Sequence, residues 1–215
     1  MVTAPRKLMS SSHSPSVEVH EEGVKARVGL WLFLLSEILL FGGMFLLYSM
    51  YRYKSPGDFH AASMELSRFD GTLNTIVLLT SSLTVVVALH SLHIKHKKGR
   101  AVFFLLATIA LGLTFLVVKS FEWTAKFEHG LYPGAKFLAT QNHGFILFFG
   151  LYFTMTGLHA LHVIVGMVVL SFVTNFVIRE KVRPDRINIM ENGALYWHLV
   201  DIIWIFLFPL FYLIS

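Results

Sequence analysis

Five long apolar stretches alternate with polar segments along this sequence, at about 28–51, 73–94, 102–124, 145–178 and 194–214. Each stretch is long enough to cross about 30 Å of hydrocarbon as a helix that rises about 1.5 Å per residue. The pattern therefore predicts an all-α integral membrane protein built as a bundle of five transmembrane helices.

The polar segments define the domain organisation. Residues 1–24 are polar and rich in serine, so we expect a flexible cytoplasmic tail there. Residues 25–215 then form one five-helix transmembrane domain, because the remaining loops are too short for a second domain. The first apolar stretch is too long for the core of a signal peptide, so we expect no cleaved signal.

Lysine and arginine are distributed unequally between the two ends of the predicted spans. If the N-terminus is cytoplasmic, twelve of them lie in the cytoplasmic segments and five in the opposite ones. This bias predicts a cytoplasmic N-terminus and a periplasmic C-terminus. The inner clusters should also hold anionic lipid head groups, and the candidate contacts are Lys95, Lys97, Lys98, Arg100, Arg179 and Arg183.

Composition narrows the function classes. Of the 215 residues, 55% are hydrophobic, 14% are charged and none is cysteine. The lack of cysteine excludes disulfides, thiolate-bound zinc, iron–sulfur clusters and thiolate-bridged copper. The net positive charge favours a membrane surface as partner and gives no reason to expect nucleic acid.

Two carboxylates inside the predicted spans, Glu37 and Asp201, are the first candidate site. Both lie roughly 10–14 Å from the cytoplasmic ends of their helices, and His198 lies one turn nearer that end. A carboxylate at the centre of a span costs about 2.5–3.5 kcal/mol, so a partner or a purpose is expected. Two interpretations stay open: a polar cluster that handles protons, and a hydrogen-bonded network that fixes helix packing.

The fourth span carries His159 and His162, which are spaced i, i+3 and share a helix face. Imidazole suits copper, iron or zinc, but a metal would need further ligands such as Glu37 or His198. Hydrogen bonding between helices is the favoured interpretation, and no metal is expected. We expect Glu37, His159 and His162 to meet at one helix interface.

Other polar and small residues give weaker expectations. Lys119 and Glu122 near the outer end of the third span either pair at i, i+3 or let Lys119 extend to the interface. Pro209 should disturb the last span. Three tryptophans near span ends predict an interfacial belt, and five glycines predict close helix approach: Trp31, Trp123, Trp197, Gly42, Gly43, Gly150, Gly157 and Gly166.

Five motifs, in order along the chain, resemble subunit III of the haem–copper oxidases. The last span, ENGALYWHLVDIIWIFL, is similar to the family pattern E-x-G-x-x-Y-W-H-F-V-D-V-V-W-x-F-L, and TGLHALHVIVG to T-G-x-H-x-x-H-V-x-x-G. FLLSEILLF, LNTIVLLTS and FEWTAKF match the motifs of the first three spans, and Glu122 stands at the family's glutamate. The likeness covers about residues 27–215.

This resemblance implies a role for the chain. It implies an accessory subunit without its own haem, copper or catalytic centre, docked on the catalytic subunit I, with subunit II nearby. That enzyme reduces O2 to water and pumps protons. The subunit would bind phospholipid, support proton uptake and protect the enzyme during turnover. The chain is similar to the short, five-helix bacterial form, which implies the bacterial inner membrane.

Two alternatives remain. The homologous subunit of a quinol oxidase shares the fold and most motifs, and other subunits choose the electron donor. A stand-alone proton-coupled transporter using Glu37, His159, His162 and Asp201 belongs to a different class. Co-purification with haem discriminates the transporter from an oxidase subunit.

Overall fold

The computed structural model describes residues 15–93, 97–179 and 187–213, and all regular elements within them are helical. In chain order they are α1 (Pro15–Lys54), α2 (Pro56–Met64), α3 (Arg68–His93), α4 (Lys98–Glu128), α5 (Lys136–Ala139), α6 (His143–Ile178) and α7 (Ile187–Phe208). Helix α7 continues as a π-helical segment, Pro209–Leu213.

Five segments of the described helices are long and apolar enough to span a membrane: Arg27–Lys54, Arg68–Leu92, Lys98–Glu128, His143–Ile178 and Ile189–Leu213. The predicted all-α fold with five transmembrane helices is therefore confirmed. The boundaries differ by a few residues, chiefly in α4, which begins before and ends beyond the predicted stretch because polar residues continue its helix at both ends.

The N-terminal part of α1 differs from expectation. The helix begins at Pro15, so residues 15–24 are helical where we expected a flexible tail. Proline suits the first turn of a helix because the N–H that it lacks has no helical partner there. The remainder of the expected tail, residues 1–14, lies outside the described residues.

The short helices α2 and α5 were not expected from the sequence. Helix α2 begins at Pro56. It packs against α6 and buries Phe59 and Ala62. Pro133 and Gly134 lie between α4 and α5, and Gly134 has φ +94°.

Helix α7 is the most enclosed span, and α1 is the most peripheral. Helix α3 packs along α4 and α7, whereas α6 packs against α4, α7 and α1. Within the most apolar window of each span, 56% of the residues are buried in the last span and 17% in the first. The side chains of α7 are therefore placed to join three other helices, and α1 leaves most of its surface uncovered.

Trp197 on α7 shows how the helices approach one another. It is completely buried, not at an interface as we expected, and its Nε1 donates to Oγ of Ser81 at 3.1 Å. A Cβ added to Gly112 on α4 or to Gly166 on α6 would come within 2.8 Å of the Trp197 ring. The indole therefore needs glycine on both neighbouring helices.

The other expected glycine contacts are different. A Cβ added to Gly42, Gly43 or Gly150 would meet nothing within 4 Å, so these glycines make no close approach to another helix among the described residues of this chain. A Cβ on Gly157 would make only an ordinary contact, 3.5 Å from Trp123. Gly112, which the sequence did not single out, makes the close approach.

Candidate functional site

A carboxylate and an imidazole meet at the interface between α1 and α6. Oε2 of Glu37 lies 2.9 Å from Nε2 of His162, and each side chain is 12% exposed. Nδ1 of His162 lies 2.7 Å from the carbonyl oxygen of Leu158 one turn back, and the edge of Phe41 packs on the ring at 5.5 Å between centroids. The pair is thus fixed in orientation and only slightly open to its surroundings.

The partners of His162 define its tautomer. A carbonyl oxygen only accepts, so Nδ1 of His162 must carry the hydrogen that faces Leu158. Nε2 is therefore the nitrogen that lies 2.9 Å from Oε2 of Glu37, and this contact lacks good hydrogen-bond geometry.

His159 lies apart from this pair, contrary to the expectation that the three residues meet. Its ring is fully buried between Phe115, at 5.5 Å, and Trp204, at 5.2 Å between centroids. Neither ring nitrogen has a hydrogen-bond partner among the described residues. Side chains three residues apart on a helix differ in direction by about 60° around the helix axis. At the closely packed α1–α6 interface this difference directs His162 toward α1 and His159 into the bundle.

His198 and Asp201 face α3 and have no described contact with Glu37. Nδ1 of His198 lies 2.7 Å from Oγ of Ser82. Asp201 is 3% exposed, and Ser82 is close enough to interact with its carboxyl group, although neither oxygen has a partner of good hydrogen-bond geometry among the described residues. The carboxylates that sequence reasoning grouped by depth therefore belong to two separate interfaces.

A third polar cluster lies between α4, α6 and the π-helical segment. Nζ of Lys119 donates to Oε2 of Glu122 at 3.1 Å, to the hydroxyl of Tyr152 at 3.1 Å and to the hydroxyl of Tyr212 at 2.6 Å. Both tyrosine hydroxyls donate to Oε1 of Glu122, at 2.7 Å and 2.6 Å. Every N–H of the ammonium group and both hydroxyls are therefore satisfied inside the protein.

The aromatic rings around Lys119 add to this stabilisation. Its Nζ lies 4.8 Å from the ring centroid of Tyr152, 5.2 Å from that of Tyr212 and 5.3 Å from that of Trp204. Cation–π attraction is strongest where the charge is desolvated, and Lys119 is only 2% exposed. Of the two alternatives from sequence, Lys119 therefore pairs with Glu122 and does not extend to the interface.

Tyr152 and Tyr212 are the members of this cluster that sequence reasoning missed. Their signal is a hydroxyl group within an otherwise apolar stretch, which must find a partner when it is buried. The sequence contains seven tyrosines, and no local spacing indicates which two meet Glu122 from residues 30 and 90 positions away.

The candidate contacts for lipid head groups are surface residues where the structure describes them. Lys97, Lys98 and Arg100 are exposed at the beginning of α4, and Arg179 is exposed just after α6. Lys95 and Arg183 lie outside the described residues. The exposed cations are at the same end of the bundle as Arg27, since α4 begins where α3 and α6 end.

An apolar groove of about 430 Å³ runs between α1, α6 and α7 at this end of the bundle. Its lining includes Leu30, Phe33, Val165, Val169, Phe172 and Tyr196. At the rim, Nη2 of Arg27 lies 3.1 Å from Oε2 of Glu191, which ties α1 to α7. The groove has the size of a ligand pocket, about 300–1,000 Å³, and is lined almost entirely by apolar groups.

Metal ligation is the remaining alternative for the histidines. Among residues 15–93, 97–179 and 187–213, no group of three or more histidine, aspartate or glutamate side chains could hold a metal ion. His159 and His162 point to different neighbours, and the described residues give no support to a shared site.

The fold and these clusters define a class: a multi-pass membrane protein with five apolar helices and ionisable side chains enclosed between them. The family model for cytochrome c oxidase subunit III matches residues 8–215. This chain therefore belongs to the cytochrome c oxidase subunit III family, and it is a subunit of a haem–copper oxidase.

Individual relatives agree with the family. The chain is 31% identical over 201 residues to cytochrome c oxidase subunit 3 of Bacillus subtilis, covering 90% of this chain and 88% of that one. It is 27% identical over 197 residues to cytochrome bo(3) ubiquinol oxidase subunit 3 of Pseudomonas aeruginosa, covering 91% and 88%. It is also 29% identical over 197 residues to heme-copper oxidase subunit I+III of Aeropyrum pernix, covering 88% of this chain and 23% of that longer one.

Proposed function

We propose that this chain is subunit 3 of a cytochrome c oxidase that reduces O2 to water and pumps protons. It holds phospholipid beside the catalytic subunit, supports proton uptake and protects the enzyme during turnover. The observation that carries the lipid role is the apolar groove between α1, α6 and α7, with Arg27 at its rim and Arg179 three residues beyond its lining residue Phe176. Acyl chains suit apolar linings, and anionic head groups suit nearby cations.

The proposed orientation has a cytoplasmic N-terminus and a periplasmic C-terminus in the bacterial inner membrane. The distribution of lysine and arginine supports it, because twelve lie on the cytoplasmic side and five on the other. In this orientation the groove, Lys97, Lys98, Arg100 and Arg179 all lie at the cytoplasmic leaflet, where anionic head groups are available. Residues 25–215 form the transmembrane domain.

The proposed partners are subunit I, by direct contact, and subunit II within the same complex. The relative named heme-copper oxidase subunit I+III supports the first, because a fusion keeps the two parts adjacent. Haem and copper belong to the partner subunits, and this chain contributes no catalytic centre of its own.

Glu37 and His162 are the groups that support the proposed role in proton uptake. Their Oε2 and Nε2 atoms lie 2.9 Å apart, and each side chain is 12% exposed. The ammonium group of Lys119 and the hydroxyls of Tyr152 and Tyr212, in contrast, donate to partners within their own cluster. The proposal therefore places the proton role of this chain at the α1–α6 interface and not at the Lys119 cluster.

Purification through a tag on this chain tests the function. We expect the chain to co-elute with haem absorbance, with subunits I and II and with bound phospholipid, and the complex to oxidise reduced cytochrome c. Elution as a single polypeptide without haem would contradict the oxidase role and would favour the stand-alone proton-coupled transporter instead.

A quinol oxidase is the second candidate, and relatives named as quinol oxidase subunits support it. The same preparation distinguishes the two, since it can be assayed with reduced cytochrome c and with a quinol in parallel. Activity with quinol alone would replace the cytochrome c assignment and leave the role as subunit III unchanged.

A further inference from the structure

One hydroxyl group of α3 differs from the others in that helix. Helix α3 carries seven serine and threonine residues. Six of their hydroxyls donate to a carbonyl oxygen of α3 itself, at Thr72, Thr75, Thr80, Ser81, Thr84 and Ser91. The Oγ of Ser82 instead contacts Nδ1 of His198 on α7 at 2.7 Å. Because a hydroxyl group both donates and accepts, Ser82 can join His198 to a second polar group.

Asp201 is the polar group that lies beside this contact. It follows His198 by one turn of α7, is 3% exposed, and neither of its oxygens has a partner of good hydrogen-bond geometry among the described residues. Ser82 is close enough to interact with its carboxyl group. A buried carboxyl group without a hydrogen bond is costly, so the hydroxyl of Ser82 is the partner that this interface offers to Asp201.

The other end of this row of polar groups lies at the surface of α7. The ring of His198 is only partly buried, and its Nε2 is not enclosed by the described residues and has no hydrogen-bond partner among them. Leu195 and Ile202, on the same face of α7, are 38% and 50% exposed. Glu191, two turns before His198 on this face, has a side chain that is 33% exposed. The row therefore leads from an enclosed carboxyl group to an imidazole that opens on the outer surface of the helix.

We propose that Ser82 and His198 form a relay that carries a proton between the buried carboxyl group of Asp201 and water at the outer surface of α7. Asp201 gives its hydrogen to Oγ of Ser82, the hydrogen of that hydroxyl passes to Nδ1 of His198, and the hydrogen on Nε2 leaves to water. The carboxylate keeps the negative charge, and the reverse sequence returns a proton to it. This relay goes beyond the proposed function, which places the proton role at the α1–α6 interface.

Infrared spectroscopy of the intact oxidase complex after transfer into D2O tests the relay. The C=O band of a protonated carboxyl group moves to lower frequency when deuterium replaces its hydrogen. Enclosure among apolar helices favours the neutral acid, so we expect such a band from Asp201, identified by its loss in Asp201→Asn. The band should move after the transfer, and the rate of this change measures proton exchange at Asp201.

Variants of the two relay residues define the route. Ser82→Ala and His198→Phe should each slow the exchange at Asp201 at least several-fold, whereas Ser82→Thr keeps a hydroxyl group and should exchange at the wild-type rate. Thr80→Ala is the matched control, because it removes a hydroxyl from the same helix that donates to the carbonyl oxygen of Ile76. We expect no change of rate in Thr80→Ala, and haem content confirms that each variant is assembled.

The relay would be overturned by exchange at the wild-type rate in both Ser82→Ala and His198→Phe, or by a band of Asp201 that does not move in the wild type. Equal slowing in Thr80→Ala would also overturn it, since the effect would then come from a general disturbance of α3. If Ser82→Ala does not assemble, His198→Phe gives the same decision. These outcomes leave the assignment as an oxidase subunit unchanged, because co-purification with haem tests that assignment separately.

Discussion

Tyr212 donates its hydroxyl hydrogen to Oε1 of Glu122 across 2.6 Å, joining the end of the chain to the middle of the bundle. The contact depends on the π-helical segment that begins at Pro209. Pro209 lacks the N–H that would donate to the carbonyl oxygen of Ile205, and one residue further on the carbonyl oxygen of Leu210 accepts from the hydroxyl of Tyr48 at 2.7 Å. The irregular end of α7 is therefore held on one side by α1 and on the other by Glu122.

Replacing Glu122 with leucine should strongly destabilise the subunit. The substitution leaves the ammonium group of Lys119 buried without its counter-charge, and such a loss typically costs about 3–5 kcal/mol. Tyr212→Phe removes only one partner, so we expect a smaller cost of roughly 1–2 kcal/mol. Thermal release of this chain from the purified oxidase measures both effects.

The control for this prediction is Glu128→Leu at the exposed end of α4. It removes the same charge from the same helix without opening a buried cluster, so release should occur at nearly the wild-type temperature. Equal destabilisation by Glu122→Leu and Glu128→Leu would show that the buried network contributes nothing specific.

Replacing Gly112 or Gly166 with alanine should also destabilise the subunit, because the added methyl group overlaps with a neighbouring side chain. The new Cβ would approach the ring of Trp197 to 2.8 Å, and overpacking of this kind costs about 1–3 kcal/mol. Gly42→Ala adds the same methyl group to open space on α1, so we expect no loss of stability. Resistance of the assembled subunit to heat or detergent distinguishes the three variants.

A smaller ring at position 197 tests whether overlap with Trp197 causes the loss of stability in Gly112→Ala. Trp197→Phe combined with Gly112→Ala should recover part of the stability that Gly112→Ala loses, because the smaller ring leaves room for the methyl group. If the double variant is as unstable as the sum of the two single variants, the overlap with Trp197 is not the cause.

The sequence was sufficient to predict the five transmembrane spans, because each span depends on one continuous stretch of residues. It was also sufficient to find Lys119 and Glu122 as a possible pair, since both lie on one helix. The sequence did not predict contacts between side chains that lie on two different helices. Depth along a helix placed Glu37 beside Asp201, but rotation about the helix axis directs Glu37 to His162 and Asp201 toward Ser82.

Glycine and tryptophan show the same limit. The sequence singled out Gly42 and Gly43 among five glycines for close helix approach, yet no atom of this chain's described residues lies within 4 Å of a Cβ added there. Gly112 lies within an ordinary apolar stretch and, like Gly166, makes a close approach to Trp197. Whether a small residue permits close approach depends on which side chain lies opposite, and that is a property of the assembled bundle.

Substitution of Glu37 should alter how long the oxidase works without altering its cofactors. We expect Glu37→Ala to leave haem content unchanged, because Glu37 pairs with His162 at the α1–α6 interface and binds no cofactor in our proposal. The half-time of activity during continuous turnover should shorten. Simultaneous loss of haem and of turnover would indicate a role in assembly instead.

A double-mutant cycle examines the pair itself. Glu37→Gln and His162→Gln should be non-additive in stability by about 0.5–2 kcal/mol, because each change removes the same contact. Glu37→Gln and His159→Gln should be additive, since His159 contacts Phe115 and Trp204 instead. Strong coupling of Glu37 to His159 would contradict the separation of the two histidines.

Neutralising the cations at the beginning of α4 should reduce the anionic phospholipid that purifies with the complex. Each lysine or arginine near a negatively charged leaflet contributes about 1 kcal/mol to the attraction, and Lys97, Lys98 and Arg100 are exposed together. Changing the three to glutamine should therefore lower the bound phosphatidylglycerol or cardiolipin measured by lipid mass spectrometry.

Lys136→Gln on α5, an exposed cation at the opposite end of the bundle, is the control. In the proposed orientation Lys136 faces the periplasm, so its replacement should leave the phospholipid content unchanged. If both variants lose the same amount of phospholipid, the excess of lysine and arginine on the cytoplasmic side does not reflect binding to the cytoplasmic leaflet.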